Sequence, residues 1–138
     1  MTTDRDAAHV VRSFFDAVGA LDGEPGAAFR AWLAPGCIWQ NSGAPTCHGV
    51  DACVALLDGA RSSIGFHTWV VEYRGVATDA DLVLTERLDR LVDVDGVEVT
   101  TIPVMGALRV EDGQIVEWRD YFWPEDARPR GNGAESDH

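Results

Sequence analysis

Apolar residues recur at spacings of three and four in the first part of the chain and alternate with polar ones in the second. The first pattern belongs to helices with one buried stripe, the second to half-buried strands. Val10, Val11, Phe14, Phe15, Val18 and Leu21 predict a helix over 4–21, capped by Thr3 or Asp4 and ended by Asp22-Gly23. Phe29, Trp32 and Leu33 predict a second over 25–34, with Pro25 at its first position and Pro35-Gly36 as its stop. A short strand is expected over 37–41, then a loop over 42–49 rich in turn residues. Val50, Val54 and Leu57 make the stripe of a third helix over 50–62.

Strand patterns fill 66–78, 82–94, 97–110 and 114–123. Asp95-Gly96 and Asp112-Gly113 between them are hairpin turn signals, so these strands form an antiparallel meander. Helices followed by a meander, with no internal repeat and no βαβ alternation, predict an α+β domain whose sheet curls over the helices. A single catalytic domain is expected over 1–123, and the polar segment 124–138 reads as a flexible tail.

Composition narrows the function. A chain of 138 residues can bury a core without metal or disulfide staples. A net charge of −12 argues against nucleic acid and anionic lipid as partners. Every basic residue is Arg, which removes Schiff-base lysine chemistry and a P-loop lysine. Cys37, Cys47 and Cys53 do not form a disulfide pattern. Cys47-His48 has no second cluster at ligand spacing, so no metal site is expected. The polar, acidic start has no apolar h-region, and no run approaches the ~18 apolar residues of a membrane span. A soluble cytoplasmic protein with reduced thiols is the expectation.

Charge at unexpected positions supplies the candidate chemistry. In the strand over 82–94, Val83, Thr85, Arg87, Asp89 and Leu91 share one face. Arg87 and Asp89 form either an ion pair over an apolar pocket or an ordinary surface pair, and the strand alone leaves both open. On the last strand, Val116, Trp118, Asp120 and Phe122 share a face, which sets a carboxylate between large aromatics. A lone Asp there pays a large desolvation penalty and needs a partner. Arg87 is the natural one. The strand between them presents Ile102, Val104, Gly106 and Leu108, and Gly106 leaves room for Arg87 to reach across. An Arg–Asp bridge that only pins the sheet is the alternative.

Glu86-Arg87-Leu88-Asp89, Ile102-Pro103-Val104-Met105-Gly106 and the run from Asp112 to Phe122 with Trp118-Arg119-Asp120-Tyr121-Phe122 resemble the limonene-1,2-epoxide hydrolase family over roughly residues 5–123. The resemblance implies a cone-shaped roll of the nuclear transport factor 2-like, SnoaL-like kind. In it, three N-terminal helices pack on a curved, mainly antiparallel mixed sheet. It also implies an Asp–Arg–Asp triad, with Asp120 as general base, Arg87 as bridge and Asp89 as protonated general acid. The family holds its attacking water with a Tyr-x-Asn pair. Here Asn41 matches and Trp39 stands where the Tyr would be. An indole has one donor and no acceptor, so water activation or substrate size differs here.

Such a triad opens an epoxide by push and pull: a carboxylate takes a proton from water as it attacks carbon, and an acid protonates the departing oxygen. No covalent intermediate and no cofactor are required. Trp39, Leu91, Ile102, Val104, Trp118 and Phe122 are expected to line a pocket for a small apolar epoxide. Other readings are an epoxide-opening cyclase, a ketosteroid-isomerase-like enzyme on a polyketide or terpenoid substrate, and a non-catalytic binding protein. His67 is expected to pack rather than react. Glu86, Arg90, Glu117 and Arg119, among Leu88, Val92 and Ile115, face away from the triad and suggest a homodimer contact.

Overall fold

A computed structural model describes residues 4–127. Its three helices are α1 (Asp4–Val18), α2 (Pro25–Trp32) and α3 (Val50–Ala60). Its strands are β1 (Leu33–Asn41), β2 (Cys47–His48), β3 (Thr68–Asp79), β4 (Leu82–Val92), β5 (Glu98–Glu111) and β6 (Gln114–Tyr121). The six strands form one sheet in the order β2-β1-β6-β5-β4-β3. All neighbours are antiparallel except β1 and β6, which run parallel. The expected α+β arrangement of helices on a mainly antiparallel mixed sheet is the observed one.

The stripe of α1 is buried as its spacing requires: Ala7, Val10, Val11, Phe14, Phe15 and Val18 all enter the core. The helix ends at Val18, short of the expected 21, and the Thr68 hydroxyl donates to the Val18 carbonyl, one of those left free at its end. Pro25 does start α2, and a β-strand follows it at once. Pro35-Gly36, expected as a stop before the first strand, lies inside β1. The pairing with β6 breaks there, between Leu33 and Ile38. Pro35 has no N–H for the ladder, which suits it to such an irregularity. The expected loop over 42–49 contains β2, a two-residue strand too short to show a period.

Helix α3 continues into a single π-helical turn, Arg61–Gly65. The β5–β6 hairpin closes on Asp112 and Gly113, both with positive φ, as a two-residue turn between right-twisted strands demands. Register shifts in β3, in β5 where it pairs with β4, and in β6 where it pairs with β5 bend the sheet around the helices. The shift in β6 leaves Val116 as the extra residue and turns Ile115, expected to face outward, into the core; Val92, expected outward too, is also buried. Pro124–Ala127, read from sequence as the start of a tail, forms a turn of 3-10 helix; residues 128–138 of that expected tail lie outside the described ones. Among the described residues, no helix is long and apolar enough to cross a membrane.

An aromatic cluster joins the layers. Phe14, Phe15, Phe29, Trp39, Trp69 and Trp118 meet one another, mostly edge to face. Trp39 and Trp118 are the exception: they stack, with centroids 4.3 Å apart and planes 13° from parallel.

Candidate active site

Thr85, Gly106, Asp120 and Asn41 are register partners across the adjacent strands β4, β5, β6 and β1. Arg87 and Asp89 follow Thr85 at the next two inward positions of β4. Period-two alternation thus sends six polar side chains, or the space for one, to the inner surface within a short distance.

Arg87 is buried, with its side chain fully removed from solvent, so the surface-pair reading of β4 is excluded. It bridges the two carboxylates. Nε and Nη2 donate to Asp89 Oδ1 and Oδ2 at 3.0 and 2.8 Å. Nη1 and Nη2 donate to Asp120 Oδ1 and Oδ2 at 3.1 and 3.0 Å. Each carboxylate therefore occupies one edge of the guanidinium in a two-bond fork. The Phe15 ring lies against its face, 4.7 Å from Cζ. Gly106 provides the passage: a Cβ there would lie 2.4 Å from Nη1 and 2.7 Å from Asp120 Oδ1.

Burial works against the Arg87 charge, but Asp120 and Asp89 more than offset it and hold the guanidinium protonated above its usual value. For Asp120 the balance runs the other way. Burial pushes its carboxyl up, and the attraction and hydrogen bonds of Arg87 only partly counter this. A buried carboxylate with a raised pKa, opening on a cavity, is suited to accept a proton.

The cavity has a volume of about 290 Å³. Asp89 and Asp120 reach it, while Arg87 stays behind them. Asn41 and Ser42 supply the other polar wall, at the end of β1. Ser42 ties that end to β6: its hydroxyl accepts from the Phe122 N–H at 3.1 Å and donates to the Asp120 carbonyl at 3.5 Å. Everything else around the space is apolar. Of the expected lining, Trp39, Leu91, Ile102, Val104 and Phe122 are present. Trp118 is not: it is fully buried behind Trp39, on which it stacks. The indole Nε1 of Trp39 is buried without a hydrogen-bond partner.

Sequence reasoning missed several lining residues. Trp69 lies at an inward position of β3, visible from alternation with Val71 and Tyr73. Leu56, Ala60 and Ile64 follow one another at spacings of four, along α3 and its π turn. Pro124 and Ala127 come from the terminal turn, which carries no periodic signal. His67 pairs with Arg61 at 3.1 Å and does not line the cavity. Glu117 and Arg119 lie on the outer face, paired with each other at 3.1 Å, and Arg90 bonds Glu72 and Glu98 there. The cysteines are free, and no group of His, Cys, Asp or Glu among the described residues is arranged to hold a metal ion.

Residues 5–127 match the family described as the limonene-1,2-epoxide hydrolase catalytic domain. Epoxide hydrolase EphG of Mycobacterium tuberculosis (strain ATCC 25618 / H37Rv) is 31% identical over 105 residues, which cover 76% of this chain and 67% of that protein. The structure of an LEH-like epoxide hydrolase from M. tuberculosis superposes with a TM-score of 0.70 at 26% identity, covering 90% of this chain and 87% of that one. A nuclear transport factor 2-like protein from Burkholderia pseudomallei K96243 also reaches 0.70, at 19% identity over 87% of this chain and 92% of its own, and shares the fold.

Proposed function

The chain belongs to the limonene-1,2-epoxide hydrolase family, and from that premise we propose that it opens a small apolar epoxide to a vicinal diol in one step. Water attacks an epoxide carbon while Asp120 takes its proton. The carbon–oxygen bond breaks as Asp89, in its protonated form, gives a proton to the departing oxygen. Asn41, the register partner of Asp120, orients the water. Arg87 aligns both carboxyl groups and does not touch the substrate. The proton gained by Asp120 then returns to Asp89, which closes the cycle. The step uses water and groups of the chain alone, so no cofactor or metal enters the proposal.

The observation that carries this reading is that one buried guanidinium holds two carboxylates, and both open onto a single, otherwise apolar cavity. A bridge that only pinned the sheet would not need its carboxylates at a cavity wall. The surrounding Leu, Ile, Val and aromatic side chains suit an uncharged hydrocarbon skeleton. The wider proposal is a soluble cytoplasmic homodimer with no nucleic acid or membrane partner.

The test is turnover of limonene oxide, cyclohexene oxide and styrene oxide in ¹⁸O-labelled water. A diol with a single labelled oxygen is expected even in the first turnover at stoichiometric enzyme. Absence of diol from all three, with a folded protein, counts against it. Label first held in the protein would point to a covalent intermediate instead.

One observation favours a second reading. The Trp39 N–H is buried and unpartnered, and an indole has no acceptor. Water held by Asp120 and Asn41 therefore gains nothing from Trp39. A hydroxyl of the substrate needs fewer partners and would close a cyclic ether in place of a diol. Trp39→Tyr separates the two: a rise in diol at the expense of a cyclic product supports the cyclase.

A further inference from the structure

A guanidinium has five N–H bonds. In Arg87 four of them are spent on the two carboxylate forks. The fifth, on Nη1, points back along β4 to Thr85 Oγ1 at 3.1 Å. Thr85 is itself buried, 1% exposed, and its hydroxyl has Gly106 O as acceptor at 3.4 Å. The hydroxyl therefore accepts a hydrogen bond from Arg87 and donates its own to the neighbouring strand. Its direction is set on both sides.

We infer that Thr85 is a positioning residue, whose hydroxyl locks the plane of the Arg87 guanidinium and so aligns Asp89 and Asp120 with each other across the cavity. The inference rests on the epoxide-opening reading for its catalytic consequence, but not for its geometry.

The physical reason is that two forks alone do not fix the guanidinium. Both carboxylates end flexible Cβ–Cγ bonds, and the trio can tilt together about the Arg87 side chain. Three constraints oppose that tilt. Phe15 supports one face of the guanidinium. Gly106 lies beneath Nη1, where its backbone admits the nitrogen and leaves little freedom. Thr85 captures the N–H that neither carboxylate can use. Remove the hydroxyl, and a buried N–H is left without an acceptor, a cost that tilting toward another acceptor would reduce. The forks would then lengthen unequally, and the two carboxyl groups would share charge differently.

Few other charges face this assembly. From β3 comes Tyr73, the register partner of Arg87, whose hydroxyl burial pushes up to about 12. From α1 come Phe15 and, against Tyr73, the guanidinium of Arg12 at 4.7 Å from the ring and the carboxylate of Asp16. From β5 comes Gly106. A change at Thr85 is thus felt first by Asp89, Asp120 and Arg87.

The experiment compares Thr85→Val, which keeps shape and loses the hydroxyl, with Thr85→Ser, which keeps the hydroxyl. Thr85→Val is expected to lower kcat on an accepted epoxide about tenfold or more, leave KM within about threefold, and move the acid limb of the pH–rate profile. Thr85→Ser is expected to restore both kcat and the limb. Wild-type kcat and an unmoved limb in Thr85→Val overturn the inference, as does equal damage in Thr85→Ser. If Thr85→Val does not fold, Thr85→Ala takes its place with the same expectations. Carboxyl ¹³C titration of Asp89 and Asp120 in the resting protein keeps the two questions apart. If no epoxide is turned over, the functional reading fails, yet titration curves altered in Thr85→Val and restored in Thr85→Ser still support the lock. Identical curves in all three proteins overturn it.

Discussion

Gly106 gives Arg87 its route to Asp120: the space that an alanine methyl group would fill lies 2.4 Å from Nη1. The same point is 2.7 Å from Asp120 Oδ1 and 2.9 Å from Thr85 Oγ1, so it touches three members of the polar assembly. Gly106 is here for its missing side chain, not for backbone freedom.

Gly106→Ala should therefore push the guanidinium aside while leaving the fold intact. A shift near 1 Å at a catalytic assembly costs about 100-fold. We expect kcat/KM on an accepted epoxide to fall by about that factor or more, with an unchanged far-ultraviolet circular dichroism spectrum. Wild-type activity in this variant would show that the bridge tolerates displacement.

Arg87→Met removes the only charge that compensates the buried Asp120 and Asp89 within the forks. Breaking a buried ion pair by deleting one partner costs about 3–5 kcal/mol, and denaturant unfolding at pH 7 should show a loss of that order. The loss should shrink in acid. Without Arg87, burial holds the folded pKa of Asp120 still further above its unfolded value of about 3.9. A group raised in the folded state gives its full stability below the unfolded pKa and loses it as pH rises through the folded one. Unfolding at pH 4 and pH 7 checks this; an equal deficit at both would refute it.

Activity should fall in acid at a higher pH than an ordinary carboxylate would impose. Asp120 must be ionised to take a proton, and burial raises its pKa. The acid limb of kcat/KM is expected to have a midpoint above about 3.9. Asp120→Asn should remove the base and lower kcat by about 10²–10⁴-fold. Near-wild-type turnover in that variant would reassign the base.

The outer face of the sheet should carry a self-contact. Met105 and Tyr121 are register partners and exposed there, with Leu84 exposed close by on β4. Around them run the Arg90–Glu72, Arg90–Glu98 and Arg119–Glu117 pairs. An apolar centre with a charged rim suits a protein interface. Light scattering at micromolar concentration should report a dimer, and Met105→Glu should shift it toward monomer. A monomeric wild type would end the proposal.

Much of this site follows from local rules. Alternation along a strand is a property of the backbone, so Arg87 and Asp89 could be placed on one shared face, and Asp120 on the aromatic face of its strand, before any pairing was known. The Asp112-Gly113 turn likewise announces its hairpin, because few residues accept two successive positive φ angles. The need of Asp120 for a cation follows from desolvation alone.

Other features depend on segments far apart in the chain, which no local pattern encodes. The parallel pairing of β1 with β6 brings Asn41 beside Asp120, and only that crossover makes them neighbours. Trp118 has the same inward parity as Asp120, yet Trp39 covers it, so it supports the cavity wall instead of forming it. Pro124 and Ala127 reach the cavity from a turn without a period, positioned by packing across the chain. The sequence by itself determined which charged side chains of a strand would share a face, because a strand's alternation is local. Tertiary structure alone decided which of those side chains would meet and what would enclose them, because strand order, register and packing join residues that the local backbone does not connect.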